Sequence, residues 1–294
     1  MLNGRCWRRS AVVCSDRRSI PGVGYGPAQS NHEEIARRAG VAAGLGKRDA
    51  AWTGGPPFDQ LTEKQLKKTG KDAAGKDSTI KHVMSGVNPQ GVRVVSFKQP
   101  SSEELAHDFL WHIYRALPAR GEIGIFNRSH YEEVVALRVH PEWLARQNLP
   151  PGPRDAQFWA NRFDDINAFE RHLDRNGTKI VKFFLHVSRE EQRRRFLARI
   201  ETAEKRWKFS ASDLPERARW DECIQAYEEA ITATSTTWAP WYVIPADHKP
   251  VMRAMVARIL VDTIRSLDLS WPEISETDDV VLADAQRRLL AESA

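Results

Sequence analysis

Long apolar runs are missing from this 294-residue chain, cysteine is scarce and acidic residues are outnumbered by basic ones. Each shortage closes off a class of protein. No uncharged apolar stretch approaches the roughly 20 residues that a membrane span requires, and the most apolar run, 181–187, is broken by Lys182. No transmembrane segment is expected. The three cysteines, Cys6, Cys14 and Cys223, form neither a metal-ligand cluster nor the even-numbered framework of a small secreted domain, which makes a reducing cytoplasm the expected compartment. With 44 Lys and Arg against 39 Asp and Glu, the chain carries a formal charge of +5, and its pI is near 9.1. That balance suits a polyanionic partner, whether nucleic acid, anionic lipid or a chain of phosphates. Charge alone does not choose among them.

What is present is the composition of a soluble globular protein, 41% hydrophobic and 28% charged, large enough for one α/β domain with appendages. Residues 1–57 are rich in Arg, Gly and Ser and show no helical or strand periodicity, so they read as largely disordered. Arg5, Arg8, Arg9, Arg17 and Arg18 superficially resemble an organellar transit peptide; a poorly chosen start or an out-of-frame segment is the simpler reading. A structured domain is expected over 58–272 and a helical tail over 273–294.

Within the domain, strands are expected at 92–97, 123–126, 180–187 and 241–245. Helices are expected at 78–84, from 103 through Ile113, at 158–173, from 188 through Ile200 and at 252–267. Strands separated by helical segments indicate a parallel sheet covered on both faces.

Three segments carry chemistry. Gly70-Lys71-Asp72-Ala73-Ala74-Gly75-Lys76-Asp77 fits the Walker A spacing up to Lys76, with Asp77 where Ser or Thr is usual. Such a loop points backbone N–H groups and one lysine at phosphate oxygens, although a glycine turn before a helix would look the same. Phe126-Asn127-Arg128-Ser129-His130-Tyr131 stands where a strand ends, the place where open α/β sheets bind ligands; simple capping of the next helix is the alternative. Arg128 could clamp a phosphate bidentately, and Asn127 could orient a phosphate oxygen or a metal-bound water. The cations from Arg193 to Lys208 form either a solvated face, a nucleic-acid patch or a lid that closes over a transferring phosphoryl group.

Asp72 to Asp77, the turn Val87-Asn88-Pro89-Gln90-Gly91, Phe126 to Tyr131, Lys205 to Lys208 and Ser235-Thr236-Thr237-Trp238-Ala239-Pro240-Trp241-Tyr242 together resemble the polyphosphate kinase 2 family. The resemblance runs from Gly70 to the C-terminus, about three quarters of the chain. It implies a thymidylate-kinase-like P-loop fold, three α/β/α layers with a parallel sheet and a helical lid. It also implies Mg²⁺ as cofactor, inorganic polyphosphate as donor, AMP and/or ADP as acceptor, a homo-oligomer, and neither nucleic acid nor membrane as partner. Most of the family has Asp at the place of Asn127, so Phe-Asn-Arg-Ser-His-Tyr resembles the branch linked to polyphosphate:AMP phosphotransfer.

Carried over by position, Asp72 would contact the metal or the acceptor phosphate, and Asn127 and Arg128 would act at the reacting centre, with Arg128 bridging donor and acceptor. Gly70, Gly75, Lys76, Asp77 and Ser78 would hold phosphate. Arg194, Arg195, Arg199 and Arg206 are the lid candidates, His130, Tyr131, Glu132 and Glu133 would border the acceptor, and Trp207 would pack the lid.

One departure stands out. Family members carry an apolar strand directly before the phosphate loop, whereas here 61–69 reads Leu-Thr-Glu-Lys-Gln-Leu-Lys-Lys-Thr, polar and helical in propensity. A sheet without its central strand leaves ladder groups unpaired at about 1–3 kcal/mol each, against a total stability of about 5–15 kcal/mol. Another segment such as Ala11 to Cys14 could supply the strand, the region could be a deletion or translation artefact, or the protein could be a non-catalytic remnant; the abrupt change at Gly70 favours a gene-level lesion. Two further functions therefore compete with phosphotransfer from polyphosphate: a polyanion-binding remnant without turnover, and an ATP-dependent nucleotide kinase.

Overall fold

In a computed structural model, which describes residues 10–16, 75–209, 213–269 and 275–292, one five-stranded sheet carries helices on both faces. The chain runs β1 (Ser10–Asp16), α1 (Lys76–Val83), β2 (Val92–Ser96), α2 (Ser102–Leu105), α3 (Trp111–Tyr114), β3 (Ile123–Asn127), α4 (Glu132–Val139) and α5 (Pro141–Leu144). It continues through α6 (Ala156–Arg175), β4 (Thr178–His186), α7 (Arg189–Glu201), α8 (Asp213–Ala218), α9 (Trp220–Thr234), β5 (Trp241–Pro245), α10 (Lys249–Arg265) and α11 (Glu276–Glu292). Single 3-10 turns fall at Pro89–Gly91 and Ala203–Lys208. Among the described residues no helix is long and apolar enough to cross a membrane.

The sheet order is β2-β3-β1-β4-β5. β2 lies parallel to β3 and β4 parallel to β5, as the strand–helix alternation predicts. The middle place corrects the sequence reading on two counts. It is filled, by the alternative segment around Ala11 to Cys14, which lies within the stretch otherwise read as disordered: Val12 stands opposite Phe126 of β3 and opposite Lys182 of β4. The strand also runs antiparallel to both neighbours, so the sheet is mixed rather than wholly parallel. The physical reason lies in the gap itself, where β3 and β4 would each present a row of unpaired N–H and C=O groups. A short run of β propensity satisfies both rows in either direction, and the antiparallel ladder is slightly the more stable.

Alternation along the strands sorts the core. Ile123 and Ile125 of β3, Val181, Phe183 and Leu185 of β4, and Ile244 of β5 face α1 and α10, meeting Val83, Met252, Val256 and Leu260. Phe126, Ile180, Phe184 and Trp241 point to the opposite face, towards α4, α6 and α9. Lys182 has the same parity as Ile180 and Phe184, so the strand's one lysine enters this second core. Gly124 admits no side chain, because a Cβ there would come within 2.8 Å of the Pro118 ring.

The helix expected from 103 through Ile113 is two short helices. Ser101 and Glu104 form the reciprocal cap that the sequence suggests, with Glu104 N–H donating to Ser101 Oγ (3.2 Å) and Ser101 N–H to Glu104 Oε2 (2.6 Å). The Asp108 carboxylate then accepts from Leu110 N–H at 2.9 Å, and this local turn interrupts the helix before α3.

Candidate active site

The carboxyl end of β3 and the start of α1 meet at one edge of the sheet. Gly75 precedes α1 at φ +83°, and a Cβ there would lie 3.3 Å from Met252 Cε. Only glycine takes this turn without strain. Its carbonyl accepts from Thr79 N–H (2.8 Å), Thr79 Oγ1–H (2.6 Å) and Ser78 Oγ–H (3.0 Å), so the two hydroxyls staple the loop to the helix. Ser78, expected on phosphate, spends its proton on this staple. Gly70 and Asp72 lie outside the described residues.

Lys76 opens α1 with only 5% of its surface exposed. Its Nζ is 3.5 Å from Asp77 Oδ1, and Asn127 Nδ2 at the end of β3 donates to that same oxygen at 2.9 Å. Burial lowers the Lys76 pKa from 10.5, with Asp77 opposing the shift and nearby Arg128 adding to it. Arg128 itself sits in the left-handed region at φ 69°. For a non-glycine residue that geometry costs about 1–3 kcal/mol and is characteristic of functional turns.

Glu132, half-buried in the first turn of α4, completes the group. Burial raises its pKa from 4.5 to about 7, while Arg128 and Lys76 pull it down. An acid with a raised folded-state pKa contributes stability that is fully present below pH 4.5 and lost as pH rises through about 7. Between pH 5 and 8 the fold is therefore expected to lose about 2–3 kcal/mol through this group. Glu132→Gln should flatten that slope in urea unfolding at a series of pH values; an unchanged slope would contradict the assignment.

The structure thus brings together Lys76, Asp77, Asn127, Arg128 and Glu132. It does not place His130, Tyr131 or Glu133 at the same opening. His130 and Tyr131 are fully buried, and Tyr131 donates to Glu170 Oε1 at 2.9 Å. Glu133 is buried against Arg162 (3.3 Å) and accepts from Gln147 Nε2 (2.5 Å). These three follow a strained turn into a helix start, and their side chains point to the core between α4 and α6.

Tyr131 belongs to a network that the sequence reading missed. Lys182 Nζ donates to Glu170 Oε2 (2.5 Å), Tyr131 Oη (2.8 Å) and the Thr234 carbonyl (2.8 Å), which uses all three of its protons. Lys182 and Glu170 are both 0% exposed. Burial lowers the Lys182 pKa, and the Glu170 carboxylate holds it up. Lys182→Met alone would strand a carboxylate in an apolar interior, and a loss of about 3–5 kcal/mol is expected in chemical denaturation. The signals were a lysine inside an otherwise apolar strand and a glutamate on the Phe163, Ile166, Leu173 face of α6.

The lid arginines separate into different roles. Arg194 is exposed and pairs with Glu191, and exposed Arg206 donates from Nε to the Ile200 carbonyl at 2.8 Å. Arg199 is mostly covered, 3.7 Å from Asp213. Arg195, expected to face phosphate, is buried: Nε donates to Glu191 Oε1 at 2.6 Å, and Nη2 to the Ala246 and Asp247 carbonyls at 2.7 and 3.0 Å. It lies on the inner face of α7 beside Gly75 and ties the lid's root to the end of β5. The side chains of Lys205, Trp207 and Lys208 lie outside the described residues. Behind the lid, His140 Nε2 meets Glu216 of α8 at 3.0 Å, anchoring the returning arm to the helix that carries Glu132.

A glycine-led helix start with a buried lysine, an arginine in a strained turn at the adjacent strand end, and a helix rich in arginine define an α/β phosphoryl-transfer protein of the P-loop kinase class. The family model described as Polyphosphate kinase 2 (PPK2) matches residues 66–270, and the chain belongs to that family. It is 51% identical over 220 residues to an ADP-polyphosphate phosphotransferase of Rhodopseudomonas palustris, covering 74% of this chain and 76% of the relative. It is 46% identical over 213 residues to an AMP/ADP-polyphosphate phosphotransferase of Meiothermus ruber, covering 72% and 76%. The crystal structure of polyphosphate kinase 2 from Arthrobacter aurescens TC1 superposes with a TM-score of 0.67 at 34% identity, covering 94% of this chain and 93% of that one.

Proposed function

We propose that this protein transfers a phosphoryl group reversibly between inorganic polyphosphate and AMP and/or ADP, with Mg²⁺, as a homo-oligomer. The observation that carries the reading is the convergence of Lys76, Arg128 and the N-terminus of α1 on one edge of the sheet. Two polyanions must be brought end to end there, and their repulsion is the main obstacle. The N–H groups at the start of α1 and the Lys76 ammonium hold phosphate oxygens, while Arg128 spans donor and acceptor. A terminal oxygen of the acceptor nucleotide attacks the terminal phosphorus of polyphosphate. The P–O bond to the rest of the chain breaks, and polyphosphate leaves one unit shorter. Neither a protein nucleophile nor a general base is needed, because the acceptor phosphate is already ionised near neutral pH. Arg194 and Arg206 on the lid supply mobile charge towards the polyphosphate, and closure excludes water as a competing acceptor.

The donors present fit a hard divalent cation. Asn127 Oδ1 is a buried oxygen with no hydrogen-bond partner, next to the Asp77 carboxylate that receives the Asn127 amide proton. Mg²⁺ is commonly held by one or two carboxylates together with substrate phosphates, and among the described residues no cluster of three or more His, Cys, Asp or Glu forms a ready-made cage. Asp77 and Asn127 would hold it, together with Asp72. When bound, it supplies charge neutralisation and alignment of phosphate oxygens.

A second reading, a polyanion-binding protein without turnover, is favoured by one observation: β1 runs antiparallel, so the phosphate loop does not continue directly from the central strand. The test is a donor exchange, with AMP or ADP incubated with Mg²⁺ and either polyphosphate or ATP and the nucleotides separated by chromatography. Product with polyphosphate is expected. Turnover only with ATP would make the protein an ordinary nucleotide kinase, and none from a folded chain would make it the binding protein.

A further inference from the structure

Arg128 holds a left-handed backbone conformation that must be enforced by something behind it. The Asn127 amide fixes only the strand side of the turn, through Asp77. On the helix side the chain passes through Ser129 and His130 to Tyr131, the residue that caps α4. Tyr131 Oη is gripped from two directions, accepting from Lys182 Nζ at 2.8 Å and donating to Glu170 Oε1 at 2.9 Å. Glu170 also stands 3.4 Å from His130 Nε2, although neither His130 ring nitrogen makes a hydrogen bond. Lys182 continues to the carbonyl of Thr234 at the end of α9, and the Thr234 hydroxyl accepts from Trp241 Nε1 at 3.0 Å. β4 and α6 thus grip directly one phenol three residues beyond Arg128, and α9 and β5 are tied in behind them through Thr234.

We propose that Lys182, Glu170 and Tyr131 form a positioning device, an ionic latch that fixes the turn carrying Arg128 and the first turn of α4 carrying Glu132. This rests on the phosphotransfer reading above. An apolar core of the same shape could stabilise the fold equally well, since replacing a whole buried ion pair by hydrophobic residues is often neutral. What apolar side chains lack is direction: two charged groups converging on one hydroxyl specify where the phenol sits, and through it the backbone of 128–132.

The experiment separates stability from position. The triple variant Tyr131→Phe, Glu170→Leu, Lys182→Met removes the polar atoms together and leaves no charge stranded. Tyr131→Phe alone removes only the hydroxyl and serves if the triple variant fails to fold. Either folded variant is expected to keep KM for polyphosphate within about twofold while kcat falls about tenfold or more, the scale of a reactive group displaced by less than 1 Å. Hydrogen–deuterium exchange over 127–133 should rise, with protection of β3 and β4 unchanged. Wild-type kcat together with wild-type exchange in that segment would overturn the proposal. If the wild-type protein itself transfers nothing, the phosphotransfer reading fails, and the exchange comparison still decides whether the latch orders the turn.

Discussion

Replacing Lys76 by alanine is expected to lower transfer from polyphosphate by about a thousandfold while leaving the fold intact. The lysine is nearly buried at the first position of α1, and its nearest anionic partner, Asp77 Oδ1, is 3.5 Å away. Burial outweighs that one pairing and keeps its charge costly, as the lowered pKa records. An arriving phosphate relieves that cost, so the charge is worth most when substrate is bound and its phosphates are reacting. Little stability should be lost with it, because a desolvated ammonium contributes little net stability to the free protein. Steady-state kinetics beside a thermal melt checks both halves: a fall below tenfold would move the reacting phosphates away from Lys76, and an unfolded variant would make the lysine structural.

Val12→Pro is expected to abolish folding altogether. In the centre of an antiparallel strand with neighbours on both sides, each N–H belongs to one ladder or the other, and Val12 faces both Phe126 and Lys182. Proline removes the donor and clashes with the neighbouring strand, which is why it is confined to sheet edges and bulges. The loss falls where β3, β4 and the turn carrying Arg128 are all supported, so activity should disappear with the fold. A variant that melts cooperatively within about 2 °C of the wild type would show that residues 10–16 are not in the sheet.

The strands that were legible in the sequence are those whose signal is local. Trp241–Pro245 is a continuous apolar stretch and the run Val181 to Leu185 is apolar but for Lys182, and buried strands need little more. α6 was legible for a similar reason, since large side chains mark its inner face at helical spacing. α9 was not, because Cys223, Ala226, Ala230 and Thr234 form much of its buried face and small residues leave a faint periodic signal. The place of β1 was out of reach for a different reason: Ala11 to Cys14 could be named as a candidate strand, but direction and neighbours are decided by which ladder groups are left open elsewhere.

The candidate site divides along the same line. Lys76, Asp77, Asn127 and Arg128 lie in short motifs whose local geometry nearly determines where they go. Tyr131 and Glu133 lie in an equally distinctive motif, yet a helix start turns them inward to meet Glu170 and Arg162, residues far away in the chain. Arg195 shows the same effect among the lid cations: adjacent to exposed Arg194 in sequence, and paired with the same Glu191, it falls on the buried side of α7, where two backbone carbonyls bind it. Charge runs state how many cations a helix has, and only packing decides which of them meet a ligand.

The most direct test of the central claim follows the phosphorus atom. Polyphosphate labelled in its terminal phosphate would be mixed with the purified full chain, Mg²⁺ and either AMP or ADP in parallel reactions, and the label traced after a single turnover. The account predicts label in the β-phosphate of ADP, in the γ-phosphate of ATP, or in both. Label released only as inorganic phosphate, or left in the polymer by a protein shown to be folded, would contradict it.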